Sequence, residues 1–226
     1  MYTYVKRWYD LLVSAFALVL LSPILIPIVV WIKLSSPGPV MYRGLRVGRG
    51  GVPFYMLKFR TMVVDADKLG ASSTSADDLR LTRVGRFLRA RKLDELPQLL
   101  NVVRGEMSLV GPRPQVQWAV DLYTSEERHL LDVRPGITDY ASIKFRNEGE
   151  ILRGSSDPDR DYMIKIAPGK MRFGLEYVRT YSLLVDLKIL SATMMAVLGR
   201  DPEWCLPRAE HENGAAPLDP SSSLSA

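Results

Sequence analysis

The sequence predicts an α+β fold, mainly helical: an N-terminal membrane-inserted helix, a short β-hairpin, and several amphipathic helices lying at the membrane surface. Three observations predict it. Leu11–Ile32 is a run of 22 residues without a formal charge. Val40–Arg43 and Pro53–Met62 are short β-prone runs on either side of the glycine-rich Gly48–Gly51. Further on, apolar residues recur at helical spacing among many basic ones, as in Leu81, Val84, Phe87 and Leu88. The expected organisation is a membrane-inserted segment over residues 1–35, a folded domain over 36–200, and a disordered tail rich in Pro, Ser and Ala over 201–226.

The apolar run comes first. As one helix its 22 residues would reach about 33 Å, enough to cross a hydrocarbon core. A cleaved signal peptide fits poorly, because the run is long, Pro23 and Pro27 interrupt it, and no small-x-small site follows. Two membrane forms remain, a simple spanning helix and a re-entrant helix that bends and leaves on the side it entered. Ser22-Pro23 falls mid-run, where proline removes a backbone donor, so a break or sharp kink is expected there, with the Ser22 hydroxyl available to a freed backbone group. Both flanks are basic: Lys6 and Arg7 before, and Lys33, Arg43, Arg46 and Arg49 after. A spanning helix concentrates its basic excess on one side, so the flanks favour the re-entrant form.

After the turn cluster Ser36–Pro39 and the hairpin, Asp65–Asp78 reads as a polar surface loop or a frayed helix. Leu79–Leu93 reads as an amphipathic helix whose other positions hold Arg80, Arg83, Arg86, Arg89, Arg91 and Lys92. That stripe is either a solvated face or a surface resting on anionic phospholipid, at about 1 kcal/mol per basic residue. Glu95–Val103 is a second short helix, and Thr124–Glu127 has the form of a capping box. Tyr162–Thr180 and Leu183–Leu198 carry helical patterns, with Pro168-Gly169 a candidate split in the first.

Composition bounds the chemistry. The 226 residues suit one domain with a membrane element and a tail, and 47% hydrophobic with 24% charged residues argues against wholesale disorder. The net charge of +5 and pI near 9.3 suit an anionic partner: nucleic acid, acidic lipid or a phosphorylated substrate. The single cysteine, Cys205, cannot form an internal disulfide and reads as a spare thiol. His129 and His211 have polar surroundings and no cysteine partners, which speaks against zinc.

The chemistry concentrates in Lys92–Pro114. Asp94 and Glu95 are adjacent carboxylates ahead of a helix, and the simplest reading is an N-cap and a dipole partner. Six basic residues precede the pair within 15 positions, and Arg104 and Arg113 follow. Such cations should lower the proton affinity of Asp94 and leave it ionised and nucleophilic. Two adjacent carboxylates can divide labour, one attacking phosphorus while the other helps hold a divalent cation; Mg2+ prefers one or two carboxylates together with substrate phosphates. Lys58 and Arg60 alternate on a strand and share a face, either towards a phosphate site or towards solvent. Asp186 lies within an apolar helix, where it is either half of a buried salt bridge or part of the site. His129 reads as solvated.

Seven motifs in order, Lys58–Met62, Leu93–Gln98, Asn101-Val102, Gly105–Ser108, Val110–Pro114, Arg134–Thr138 and Asp186–Leu190, give the chain a resemblance over roughly Tyr4–Gly199. It resembles the monotopic polyprenyl-phosphate phosphoglycosyl transferases, the bacterial sugar transferases, and looks like their small form with the catalytic domain alone. The resemblance implies that Asp94 attacks the β-phosphate of a UDP-sugar. UMP then leaves, and a polyprenyl (undecaprenyl) phosphate takes the sugar phosphate from the carboxylate. It further implies Glu95 in Mg2+ binding, with Asp94 beside it, and Arg113 in phosphate binding. The N-terminal helix would be re-entrant and broken at Ser22-Pro23, with residues 36–200 a catalytic domain on the cytoplasmic face of the bacterial inner membrane. Where many relatives continue Gly-Trp after Arg-Pro-Gly-Ile-Thr, this chain has Asp139-Tyr140, in a segment expected to shape the sugar or nucleotide pocket. Arg146, just beyond, is a candidate phosphate contact.

Expected partners are therefore a UDP-sugar, polyprenyl phosphate and inner-membrane phospholipid, with a homodimer left open. A non-catalytic membrane scaffold is the rival reading and would tolerate loss of Glu95 and Arg113. Nucleic-acid binding is not expected, because no helix-turn-helix, RNP or zinc pattern accompanies the basic face.

Overall fold

The computed structural model describes residues 2–66, 69 and 73–207. Part of the expected surface loop and residues 208–226 of the expected tail lie outside the described residues. Helix α1, Tyr2–Ser35, has 34 residues and is about 51 Å long. Pro23 lacks the N–H that would reach the carbonyl of Val19, and the Ser22 hydroxyl donates to that same carbonyl at 2.7 Å. The helical run therefore continues through Ser22-Pro23 and Pro27, so of the expected break or kink at Ser22-Pro23 the break does not form. The helix is long and apolar enough to cross a membrane.

One face of α1 packs on two different clusters. Tyr9, Val13, Ala17, Leu18 and Leu21 lie on the main core, whereas Leu25, Ile28 and Ile32 lie with Phe59, Val84 and Leu88. Trp8, Leu12, Phe16, Val19, Ile26 and Val30 stay exposed on the other face. Polar contacts fix the N-terminal end. Lys6 pairs with Asp186, and Asp10 accepts from the Ser108 hydroxyl at 2.7 Å and the Leu109 N–H at 3.2 Å.

Strands β1 (Met41–Val47) and β2 (Pro53–Phe59) form the expected antiparallel hairpin, with Tyr42 opposite Lys58, around a 3-10 turn at Arg49–Gly51. Helix α2 covers only Arg83–Ala90 of the expected Leu79–Leu93. Leu81 bridges to Met62, and the Thr82 hydroxyl caps the helix from the Gly85 N–H at 2.9 Å, so the chain before residue 83 is held extended. After a 3-10 turn at Leu93–Glu95, α3 runs over Gln98–Arg104. Arg7 donates to the carbonyls of Val102 and Val103 at its C-terminus, at 2.6 and 2.9 Å.

Strands β3 (Ser108–Val110) and β4 (Gly136–Thr138) pair in parallel. Three-residue strands leave no period to read, and this pair was not anticipated. Two motif glycines permit it: a Cβ on Gly111 would lie 2.4 Å from the Arg134 oxygen, and one on Gly136 would lie 2.1 Å from the Gly111 nitrogen. The chain continues through α4 (Gln117–Asp121), a 3-10 turn at Glu127–Leu131, α5 (Tyr140–Lys144) and α6 (Glu148–Ile151). Then come α7 (Pro158–Lys165), α8 (Ala167–Thr180) and α9 (Leu183–Val197). The capping box forms, with reciprocal Thr124–Glu127 bonds of 2.8 and 3.2 Å, but it starts a 3-10 turn rather than an α-helix. The expected split within Tyr162–Thr180 falls at Ile166, just before Pro168.

Val102, Met107, Val110, Tyr177 and Ile189 form the centre of the main core. Cys205 belongs to it as well: it is fully buried in a 3-10 turn at Glu203–Cys205, and Leu206 packs against the core. The tail therefore does not begin at residue 201 as composition suggested, because apolar side chains at 205 and 206 dock the segment.

Candidate active site

Three elements bring charge together. Strand β2 carries Lys58, the 3-10 turn before α3 carries Asp94 and Glu95, and the turn after β3 carries Arg113. Asn101, fully buried on α3, sets their spacing. Its side-chain oxygen accepts from the Leu57 N–H at 2.9 Å, and its amide donates to the Tyr55 carbonyl at 2.8 Å and to Glu106 at 2.6 Å. α3 is thereby locked to β2 beside Lys58. Lys92, in the left-handed region at φ 56°, redirects the chain from α2 into the turn that presents Asp94. Pro112 and Pro114 flank Arg113 and restrict its backbone.

Glu95 is clamped. Arg113 donates to both carboxylate oxygens, at 2.5 and 3.1 Å, and Lys58 donates to Oε1 at 2.9 Å. Burial by itself would lift this carboxyl; the Arg113 guanidinium and then Lys58 override it and hold Glu95 well below the usual carboxylate range. Glu95 in turn raises Arg113 against the effect of burial. Asp94, 5% exposed, has the opposite balance. Burial pushes its carboxyl up, Lys58 opposes, and the charge of Glu95 adds to the rise. Cations were expected to lower Asp94. The nearest ones are spent on Glu95, and the desolvation of Asp94 wins. Burial also lowers Lys58, with Glu95 opposing.

The pair is thus divided into one charge-compensated carboxylate and one poorly solvated carboxylate beside a lysine. The second is suited to nucleophilic attack on an electrophile that brings its own charge partner. Among the described residues, no group of three or more His, Cys, Asp or Glu stands together as a metal cage. Two adjacent carboxylates fit only an ion that takes its other ligands from phosphate and water, as Mg2+ does.

Three expected site residues lie elsewhere. Arg60, just past the end of β2 and 7% exposed, donates to the carbonyls of Pro37 at 2.7 Å and Ser36 at 2.9 Å. It closes the turn after α1, because the strand alternation that would align it with Lys58 ends at Phe59. Arg146 pairs with Asp201 at 3.3 Å on the surface. Asp186 is fully buried, with Lys6 on one side and the Tyr177 hydroxyl donating at 2.7 Å on the other. It takes the salt-bridge reading, joining α9 to α1. Ser22 and Pro23 act within α1, as described.

Sequence reasoning missed the bracing role of Asn101, whose signal is a polar residue on an otherwise apolar helix face. It also missed Lys170 on α8, which no local pattern marks. Lys170 lines a shallow cleft beyond Arg113 together with Gln115, Tyr123, Asp139 and Met171.

Residues 1–200 match the family model described as bacterial sugar transferase. The chain is 39% identical over 199 residues to a UDP-glucose:undecaprenyl-phosphate glucose-1-phosphate transferase of Caulobacter vibrioides, covering 87% of this chain and 70% of that one. It is 37% identical over 202 residues to a UDP-N-acetylgalactosamine-undecaprenyl-phosphate N-acetylgalactosaminephosphotransferase of Aeromonas hydrophila, covering 87% of this chain but 44% of the relative. With exopolysaccharide production protein ExoY of Sinorhizobium fredii, identity is 39% over 207 residues, covering 85% and 84% of the two chains.

Proposed function

The chain belongs to the bacterial sugar transferase family, and on that premise we propose that it transfers a sugar 1-phosphate from a UDP-sugar to undecaprenyl phosphate or a similar polyprenyl phosphate. The observation that carries the reading is the division of the carboxylate pair, Glu95 clamped by Arg113 and Lys58 while Asp94 is buried beside Lys58.

An Asp94 oxygen attacks the β-phosphorus of the donor, the bond from that phosphorus to the bridging oxygen breaks, and UMP leaves with the electron pair. The sugar phosphate remains on Asp94 as an acyl phosphate. An oxygen of the polyprenyl phosphate then attacks the same phosphorus. The carboxylate departs, and polyprenyl-diphosphate-sugar is formed. As the donor arrives, Arg113 and Lys58 would turn part of their hydrogen bonding from Glu95 to the phosphate charge. Asp94, the Glu95 oxygen so released and donor phosphates would hold Mg2+, which supplies charge neutralisation at the leaving group.

The lipid acceptor requires a membrane. Both halves of α1 pack on the same folded domain, which supports a re-entrant insertion with both ends on the cytoplasmic face of the bacterial inner membrane. α2 packs beside the second half of α1 and brings Arg83, Arg86 and Arg89 towards anionic headgroups. The product would begin assembly of an exopolysaccharide, capsule, O-antigen or glycoprotein glycan.

UMP release by the full chain in detergent or nanodiscs tests the proposal. Asp94→Asn should lose about 10^3-fold or more of the activity with little change in melting temperature. Mass spectrometry of trapped wild-type enzyme should place the sugar phosphate on Asp94. An adduct that persists in Asp94→Asn would remove that residue from the nucleophile role.

A further inference from the structure

Strand β1 carries a cation that no carboxylate among the described residues meets. Tyr42 lies opposite Lys58 in the hairpin, and Arg46, further along the same strand, shares their face. The Tyr42 and Arg46 side chains converge over Gly44: a Cβ there would lie 2.9 Å from the Tyr42 ring and 3.3 Å from both the Tyr42 hydroxyl and Arg46 Nη1. Just past Arg46, the Val47 N–H donates to the Gln115 carbonyl at 2.9 Å, which joins the end of β1 to the turn that carries Arg113. Arg46 therefore stands beside Arg113, on the hairpin face that holds Lys58.

Its partners set it apart from both. Arg113 and Lys58 are paired with Glu95. Among the described residues, the Arg46 guanidinium donates to the carbonyl of its neighbour Leu45, at 2.8 Å, and to no carboxylate. The charged and titratable groups that face it are Tyr42, Arg113 and Tyr162. Burial lowers its proton affinity, Tyr42 and Tyr162 oppose, and Arg113 adds to the fall. Arg46 is half-buried and Tyr42 is 47% exposed, so a solute can reach both.

We propose that Arg46, with the Tyr42 hydroxyl, holds the α-phosphate of the UDP-sugar and stabilises UMP as it leaves. The inference rests on the reading of Asp94 as the nucleophile.

Charge and connectivity carry the placement. A half-buried guanidinium beside a second one, without a counter-ion, gains when an anion arrives. With the β-phosphate between Asp94 and Arg113, two groups lie one bridging oxygen away: the sugar and the α-phosphate. The sugar is neutral and would leave the Arg46 charge uncompensated. The α-phosphate offers oxyanions to the guanidinium and an acceptor to the phenol. When the bond from the β-phosphorus to the bridging oxygen breaks, the electron pair goes to that oxygen, which stays on the α-phosphate. Negative charge then grows beside Arg46, where a fixed cation lowers the barrier. The polyprenyl phosphate offers the same phosphate chemistry, so the experiment must separate the two sources.

The experiment uses the full chain in nanodiscs and measures binding of UMP and of uridine. It also measures kcat/KM for UDP-glucose or UDP-N-acetylgalactosamine and for undecaprenyl phosphate. With a covalent intermediate between the half-reactions, each kcat/KM reports its own half. Arg46→Met should weaken UMP about 10- to 100-fold, the worth of hydrogen bonds to a charged group, and leave uridine unchanged. It should lower kcat/KM for the UDP-sugar at least as much and leave that for undecaprenyl phosphate unchanged. Its melting temperature should hold or rise, because the charge removed has no partner. Arg46→Lys, a charge without the two-pronged hold, should fall between. Tyr42→Phe should weaken UMP by about 3- to 10-fold. An unchanged ratio of UMP to uridine affinity overturns the inference. So does a fall confined to undecaprenyl phosphate, which would give Arg46 to the acceptor, or an equal fall for both substrates with a lower melting temperature, which would make it structural. If wild type neither binds UMP nor releases it from either donor, the proposed function fails and the inference with it.

Discussion

Two buried groups of acids and their partners do different work in the domain. Asp186 is held between Lys6 and Tyr177, and the Tyr177 hydroxyl also lies 3.1 Å from the Val110 carbonyl. Every partner there belongs to the protein, so the group fixes α1 and α9 to β3 and offers nothing to a ligand. Glu95 is equally well paired, but the adjacent Asp94 is buried at an electrostatic cost that no ion pair among the described residues offsets. Pairing by itself therefore does not mark a site. The mark is an uncompensated group beside a compensated one, because only it gains when a ligand arrives.

The largest expected effect is on the structural pair. Lys6→Met leaves the Asp186 charge buried and should destabilise the fold by about 3–5 kcal/mol, read as a lower melting temperature in detergent. If Lys6→Met melts like wild type, the two groups are not distinguished by sealing. Next, Arg113→Lys keeps a charge but loses the two-pronged hold on Glu95. It should lower UMP release about 10^2-fold with a small change in melting temperature, the reverse of the Lys6 pattern.

The pH dependence sharpens the same contrast. Glu95 is held below its ordinary value of 4.5, so its stabilising contribution is full above that pH and is lost as the pH falls through the folded value. The acid-sensitive part of the melting temperature should shrink in Arg113→Met. The smallest effect concerns Lys58, the strongest of the influences that lower Asp94. Lys58→Met should move the acidic limb of the rate profile to higher pH, since the proposed attack by Asp94 is lost as it takes up its proton. An unmoved limb would separate Lys58 from the proposed nucleophile.

How much was legible depends on range. The hairpin, α9 and the capping box were readable because each is set by residues within a few positions of one another. The candidates Asp94, Glu95, Lys58 and Arg113 were readable from motifs, and the structure gathers all four. Arg60 and Arg146 were misplaced because a long side chain answers to whatever carbonyl or carboxylate folds near it, and Ser36 and Asp201 decided that. The opposed proton affinities of Asp94 and Glu95 were not legible. They depend on which carboxylate Arg113 reaches from 18 residues away.

The sequence by itself determined an apolar N-terminal helix, a hairpin, a mainly helical domain, and the carboxylate pair among cations, because period, turn chemistry and charge spacing are local properties. Tertiary structure alone decided three things: the parallel β3–β4 pair, the docking of Cys205, and the division of charge between Asp94 and Glu95. Each depends on burial and on close approach between residues far apart in the chain, and no local pattern encodes those.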